Sequence, residues 1–285
     1  MTTHLWRSLL YLPASNARAI EKARTLDCDV AVLDLEDAVA PEMKAEARAA
    51  AVEAVRSGGF GPRLGVRING LDTEWGAEDL KALAATDVRL IVAPKVESAD
   101  AVRDLNAALK AGMAASAALI AMIETPAALM RLESIAGAGG ALTGLMLGVN
   151  DLAATLGTGP STDREPLKPW LAAAVAAARM HGLAALDGVF NRIEDAEGLA
   201  AECAQGRLYG FDGKSLIHPS QIGAANAAFA PSPAEVAQAE AIVAAFADPA
   251  SDGKGAIRVN GAMVERLHLA SAERLLERHR IAGGG

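Results

Sequence analysis

Short apolar runs that close on one or two polar residues recur along the chain at intervals of roughly thirty residues, the length of a βα unit. The runs cover residues 8–12, 30–33 (closing on Asp34, Glu36 and Asp37), 64–69, 90–95, 118–125 and 145–151, with weaker ones at 183–187 and 209–214. Between them, residues 41–56, 79–85, 98–110 and 170–181 carry Ala-rich, charged sequence with helical periodicity. Eight strand-like runs alternating with helices predict an α/β fold of the (β/α)8 TIM-barrel type, for which about 230 residues is an ordinary length. An open doubly wound sheet is the rival. Against it, no Gly-x-Gly-x-x-Gly follows the first run, and polar residues close nearly every run instead of gathering at one switch point. In a barrel all those ends converge on one face, so residues distant in sequence become neighbours.

The pattern changes near residue 230, which predicts a barrel domain over residues 1–229 and a C-terminal extension over 230–285. Pro231 and Pro233 flank Ser232 ahead of a helix over 234–246. Residues 248–255 read as a mobile loop, 256–259 as extended, Asn260-Gly261 as a turn and 268–280 as a final helix, with residues 283–285 frayed. A piece this small does not fold alone. It serves either as a lid over a barrel mouth, its own or a neighbouring subunit's, or as a simple brace.

Composition narrows the function class. With 52% apolar residues in 285, one large core can be buried, and a net charge of -8 without a Lys/Arg run excludes nucleic acid or anionic membrane as the main partner. A small-molecule substrate is expected. Cys28 and Cys203 lack metal or disulfide spacing and read as buried thiols. Neither an export signal nor an apolar run of membrane-spanning length is evident, so a cytoplasmic location is expected.

The run ends carry the candidate chemistry. Asp34, Glu36 and Asp37 concentrate negative charge that needs a cation or a proton. Glu124 and Asp151 close the adjacent fifth and sixth runs, which places two carboxylates side by side at the mouth, where they repel by several kcal/mol unless compensated. A divalent cation relieves this, and oxygen-only ligation suits Mg2+, with Mn2+ as a substitute. The competing arrangement is a structural salt bridge from Glu124 to Arg67 or Lys95. Arg67, inside an apolar run, requires a carboxylate from the protein or a ligand, and its planar fork suits a small acid. Lys95 and Lys214 either serve the site or neutralise Asp34, Glu36 or Asp37. His218 reads as a structural hydrogen-bonding group, and Gly137-Ala138-Gly139-Gly140 as a helix end and loop.

Taken in order, Arg7-Ser8-Leu9-Leu10-Tyr11-Leu12-Pro13, Asp34-Leu35-Glu36-Asp37-Ala38-Val39, Arg67-Ile68-Asn69, Pro94-Lys95-Val96, Ile123-Glu124-Thr125, Gly148-Val149-Asn150-Asp151-Leu152 and Gly213-Lys214-Ser215-Leu216-Ile217-His218-Pro219 resemble the motif set of citrate lyase β-subunit-like and malyl-CoA lyase-like proteins, the HpcH/HpaI aldolase/citrate lyase family. The resemblance runs from residue 7 to about 222 and implies a magnesium-dependent carbon–carbon lyase on a TIM barrel, assembled as a homotrimer or hexamer. Such an enzyme cleaves a 3-hydroxyacyl-CoA, of malyl-CoA or citramalyl-CoA type, to acetyl-CoA and a 2-oxo acid. It implies Glu124 and Asp151 as metal ligands, Arg67 as the grip on the oxo acid and enolate, and Glu36 and Asp37 as groups that hold metal-bound water and orient Arg67. Arg18 and Lys22 are the expected contacts for the CoA phosphates, because Asn16 stands where many relatives have arginine. Gly261-Ala262-Met263-Val264-Glu265 puts Glu265 where relatives carry an aspartate acid/base supplied across a subunit interface. Alternatives are a citrate lyase subunit acting on an acyl carrier protein thioester, a malyl-CoA-type thioesterase, a pyruvate-type aldol enzyme, and a protein that binds such esters without turnover.

Overall fold

A computed structural model describes residues 4–112, 114, 116–251 and 253–283. The chain divides into two compact units, Trp6–Phe229 and a second one made of the N-terminal residues up to Leu5 and the stretch from Ala230 onward.

The larger unit is a closed barrel of eight parallel strands in chain order. They are β1 (Ser8–Pro13), β2 (Val30–Asp34), β3 (Arg63–Arg67), β4 (Leu90–Ala93), β5 (Ala118–Ile123), β6 (Leu142–Leu147), β7 (Ala184–Asp187) and β8 (Gly213–Leu216). Helix α1 (Ala17–Ala23) follows β1, and α2 (Lys44–Ser57), α3 (Gly76–Ala84) and α4 (Ala99–Ala111) follow the next three strands. After β5 come two short helices, α5 (Pro126–Leu129) and α6 (Leu132–Ala136); after β6, α7 (Val149–Leu156) and α8 (Lys168–Met180); then α9 (Ala196–Tyr209) and α10 (Ile222–Phe229). Asn16, Ser98, Thr125 and Asp195 cap helix starts by accepting backbone N–H bonds. This gives Asn16 a structural role.

Two apolar layers hold the barrel. Leu9, Val30, Val32, Leu90, Val92, Ile120, Met122, Met146 and Leu186 fill its interior, at every second strand position, while the alternate residues pack against the helices. That parity matters for the mouth. Asp34 continues the inward series Val30, Val32, and Glu124 continues Ile120, Met122.

Several boundaries differ from the sequence reading. Tyr209 is the last residue of α9, not the start of the eighth strand, because Gly210 takes φ 95 and ends the helix in a left-handed cap; β8 begins only at Gly213. Strand β6 ends at Leu147, and Asp151 lies in the first turn of α7. Arg67 is the last residue of β3 and not its middle. Lys214 does not neutralise the acids after β2: it is fully buried and binds Asp187 at 3.1 Å and Glu202 at 2.6 Å. Arg164 joins this cluster through Asp187 at 2.7 Å. Both cysteines are buried, and burial pushes the Cys28 thiol up to about 12 and that of Cys203 to about 11. His218 caps the turn over Pro219–Gln221.

In the smaller unit, Ser232 and Glu235 form a reciprocal cap for α11 (Pro233–Ala247). The extended stretch β9 (Ala256–Val259) pairs with β10 (Ala262–Glu265), a partner the sequence reading did not resolve, and α12 (Arg266–Gly283) follows. Of the expected loop, Pro249–Ser251 forms a short turn of helix, and Asp252 lies outside the described residues, as do Gly284 and Gly285 of the expected frayed end. No described helix is long and apolar enough to cross a membrane.

Candidate active site

The strand ends after β2 to β6 bring one arginine, one lysine and five carboxylates to the barrel mouth. Asp34 and Arg67 are cross-strand partners at the ends of β2 and β3, and the guanidinium grips Asp34 twice, Nε to Oδ1 and Nη2 to Oδ2, both at 2.7 Å. Nη1 donates to Asp37 at 3.3 Å and stands 3.0 Å from Glu36 Oε2. The flat face of the guanidinium lies 4.7 Å from the Tyr11 ring centre. Burial works against the charge of Arg67, but Asp34 outweighs it and holds the guanidinium firmly protonated. The carboxylate Arg67 requires is therefore a protein one. Asp34 is the principal partner, whereas the sequence reading gave that orienting role to Glu36 and Asp37.

Glu36 is 8% exposed and Lys95 Nζ donates to its Oε1 at 3.2 Å. Its Oε2, near Nη1 but poorly aligned, has no hydrogen-bond partner. Burial raises the Glu36 carboxyl, against the pull of Arg67. Asp37, by contrast, has a side chain 67% exposed. Below, the Tyr11 hydroxyl donates to Met146 Sδ at 3.0 Å, so the floor of the mouth is apolar and sulfur-lined.

Glu124 makes no ion pair with Arg67 or Lys95 side chains; its Oε1 accepts the main-chain N–H of Lys95 at 2.7 Å. Burial, then the charge of Glu36 and further that of Asp151, raise its carboxyl to about 7. Gly148, at the entry to α7, makes room for it: a Cβ there would lie 2.3 Å from Glu124 Oε2. That close approach explains why Gly148 precedes the turn carrying Asp151.

This donor set fits a hard divalent cation. Glu124, 2% exposed, is raised by burial and by the neighbouring charges of Glu36 and Asp151, and an orphaned buried oxygen of Glu36 stands nearby. Among the described residues no group of three or more His, Cys, Asp or Glu side chains is arranged to enclose an ion. A cation held here therefore keeps several water or substrate ligands, as Mg2+ prefers.

Behind the β2 corner, Lys44 is buried and donates to the Leu35 and Glu36 carbonyls and to Asn69 Oδ1, each at 2.7 Å. Asn69 in turn donates to Asp79 Oδ2 at 2.6 Å, and Asp79 pairs with Arg48 at 2.6 Å. Sequence reasoning missed this chain, although Lys44 at helical spacing from Arg48 on the face toward the barrel was a usable signal. A cavity of about 310 Å3 opens beside Lys95, walled by Ile68, Leu71, Val96 and Leu105, with Asp72 and Glu97 at its rim. Arg18 and Lys22 are exposed on one face of α1, one turn apart. Glu265 ends β10 in the smaller unit, where its N–H donates to His268 Nδ1 at 2.9 Å.

Known proteins are similar to this chain over nearly its whole length. A (3S)-malyl-CoA thioesterase of Cereibacter sphaeroides is 45% identical over 274 residues, covering 96% of this chain and 94% of that protein. An L-malyl-CoA/beta-methylmalyl-CoA lyase of the same species is 35% identical, covering 94% and 92%. The solved structure of CitE from Mycobacterium tuberculosis in complex with magnesium, acetoacetate and coenzyme A superimposes with a TM-score of 0.78 at 34% identity, covering 98% of this chain and 99% of that one. With the family pattern matching residues 7–219, the chain belongs to the HpcH/HpaI aldolase/citrate lyase family.

Proposed function

We propose that this protein is a magnesium-dependent lyase that cleaves, or forms, a 3-hydroxyacyl-CoA of malyl-CoA or citramalyl-CoA type, with acetyl-CoA and a 2-oxo acid as the other side of the reaction. The observation that carries this reading is the buried Glu124 carboxylate, raised to about 7 beside Asp151 and free of any basic side chain. Glu124 and Asp151 would hold Mg2+, which would supply positive charge for the oxygens of the reacting acid. Arg67, whose Nη2 gives one N–H to Asp34, has a second Nη2 N–H left for the charge that develops on the thioester oxygen. Glu36 offers its unpartnered Oε2 to a water, and Asp37 steadies Nη1 of Arg67. In this reading Glu265 moves the hydroxyl proton, and Arg18 and Lys22 meet the CoA phosphates, in a homotrimer or hexamer.

Hydrolysis of the thioester is the second reading, favoured by the 45% identity to a malyl-CoA thioesterase. It uses the same acids to activate water in place of the substrate hydroxyl. Incubating the purified chain with malyl-CoA and citramalyl-CoA, with and without chelator, decides between them. Acetyl-CoA plus oxo acid supports the lyase, and free CoA plus hydroxy acid supports the thioesterase. Chelator-insensitive turnover, or full activity in Glu124→Ala, would remove the metal site from either reading.

A further inference from the structure

We infer that Lys95 is a catalytic residue whose ammonium holds the carboxylate of the substrate's oxo-acid half. This deepens the proposed function and rests on it. Lys95 has φ 50, a left-handed conformation that a residue with a side chain adopts only under strain. The turn aims its main-chain N–H at Glu124 Oε1, 2.7 Å away, while Nζ reaches over the mouth to Glu36 Oε1 at 3.2 Å. Glycine would make the main-chain bond without strain. What calls for lysine at this position is its side chain.

The other cations around the mouth have other tasks: Arg67 keeps only its spare N–H groups, assigned above to the thioester oxygen, and Lys44 and Lys214 serve protein oxygens. Arg67 is 7% exposed, with three of its nitrogens on Asp34 and Asp37 and its face on Tyr11. Lys44 spends its three N–H groups on Leu35, Glu36 and Asn69, and Lys214 is sealed against Asp187, Gly188 and Glu202. The side chain of Lys95 is 44% exposed, and an ammonium has three donors, of which Glu36 takes one. Acids outnumber cations in this mouth, so an anionic substrate needs a directed positive charge to remain there.

The test separates main chain from ammonium. Lys95→Gly keeps the N–H bond to Glu124; Lys95→Met keeps the strained backbone but removes the charge. Calorimetry with Mg2+ and pyruvate, with no thioester present, reads oxo-acid binding without turnover. Both variants should bind pyruvate at least about tenfold more weakly, a charge-assisted hydrogen bond lost, while Mg2+ affinity stays within about twofold. Ethylammonium added to Lys95→Gly should restore part of the binding. Unchanged pyruvate affinity overturns the inference. So does a parallel loss of Mg2+ affinity, which would mean that Lys95 acts only through Glu36 and Glu124. Wild-type protein that turns over no CoA ester instead defeats the functional reading, whereas turnover shared equally by Lys95→Gly defeats this inference alone.

Discussion

Under the proposed function, the raised carboxyl of Glu124 ties metal affinity to pH. An ion that binds only the ionised form competes with a proton, so apparent affinity scales with the ionised fraction. With the carboxyl at about 7, that fraction falls from about nine-tenths at pH 8 to about one-tenth at pH 6, a tenfold loss of Mg2+ affinity. An ordinary glutamate near 4.5 would change by only about 3% across the same range. The two cases differ enough for a direct decision. Magnesium titrations by calorimetry at pH 6, 7 and 8, each in two buffers of different ionisation enthalpy, give both the affinity and the protons released. Near pH 7 binding should release about half a proton. Without the ion the sign for stability runs the other way: the folded protein holds a proton that the unfolded chain has lost, so stability falls as pH rises from 4.5 through 7, by about 3 kcal/mol. A flat affinity between pH 6 and 8, with no proton release, would refute the burial and charge argument for this site.

Three further outcomes follow from the geometry. Gly148→Ala places a methyl group where Glu124 Oε2 stands, so Mg2+ affinity should fall by about tenfold or more while the circular dichroism spectrum is unchanged; retained affinity would show that Glu124 can move aside. Asp34→Asn breaks the twofold grip on a nearly buried guanidinium and should cost about 3 kcal/mol in urea unfolding, together with most of the turnover. Lys214→Met leaves Asp187 and Glu202 without their ammonium and should cost about 3–5 kcal/mol, yet turnover per folded molecule at low temperature should stay near wild type; a large loss there would place this cluster in the chemistry.

The barrel was legible because its signal is repetitive: eight apolar runs alternate with helical stretches and nearly every run closes on something polar, which is hard to reconcile with another architecture. Boundaries were less so. Tyr209 and Phe211 look like strand residues, and only the left-handed cap at Gly210 shows that α9 extends to Tyr209. In the mouth, Glu124, Asp151, Arg67 and Glu36 were singled out as candidates, but their pairing was not. Which acid Arg67 grips depends on the β2–β3 register, and a sequence does not print register. Lys214 was misplaced for the same reason, since its partners lie on β7 and α9, behind the sheet. The positive φ of Lys95 has no sequence signature at all, because lysine is an unusual choice for it.

The seam between β1 and β8 has a consequence for how the molecule is made. Ser8 pairs with Lys214, and its hydroxyl donates to Asn226, so the first strand has no neighbour on one side until nearly the whole larger unit has left the ribosome. Until then the growing polypeptide displays a bare hydrogen-bonding edge. Nascent chains halted upstream of Gly213 should be prone to stick to one another, and the last stave to emerge is also the one that removes this hazard.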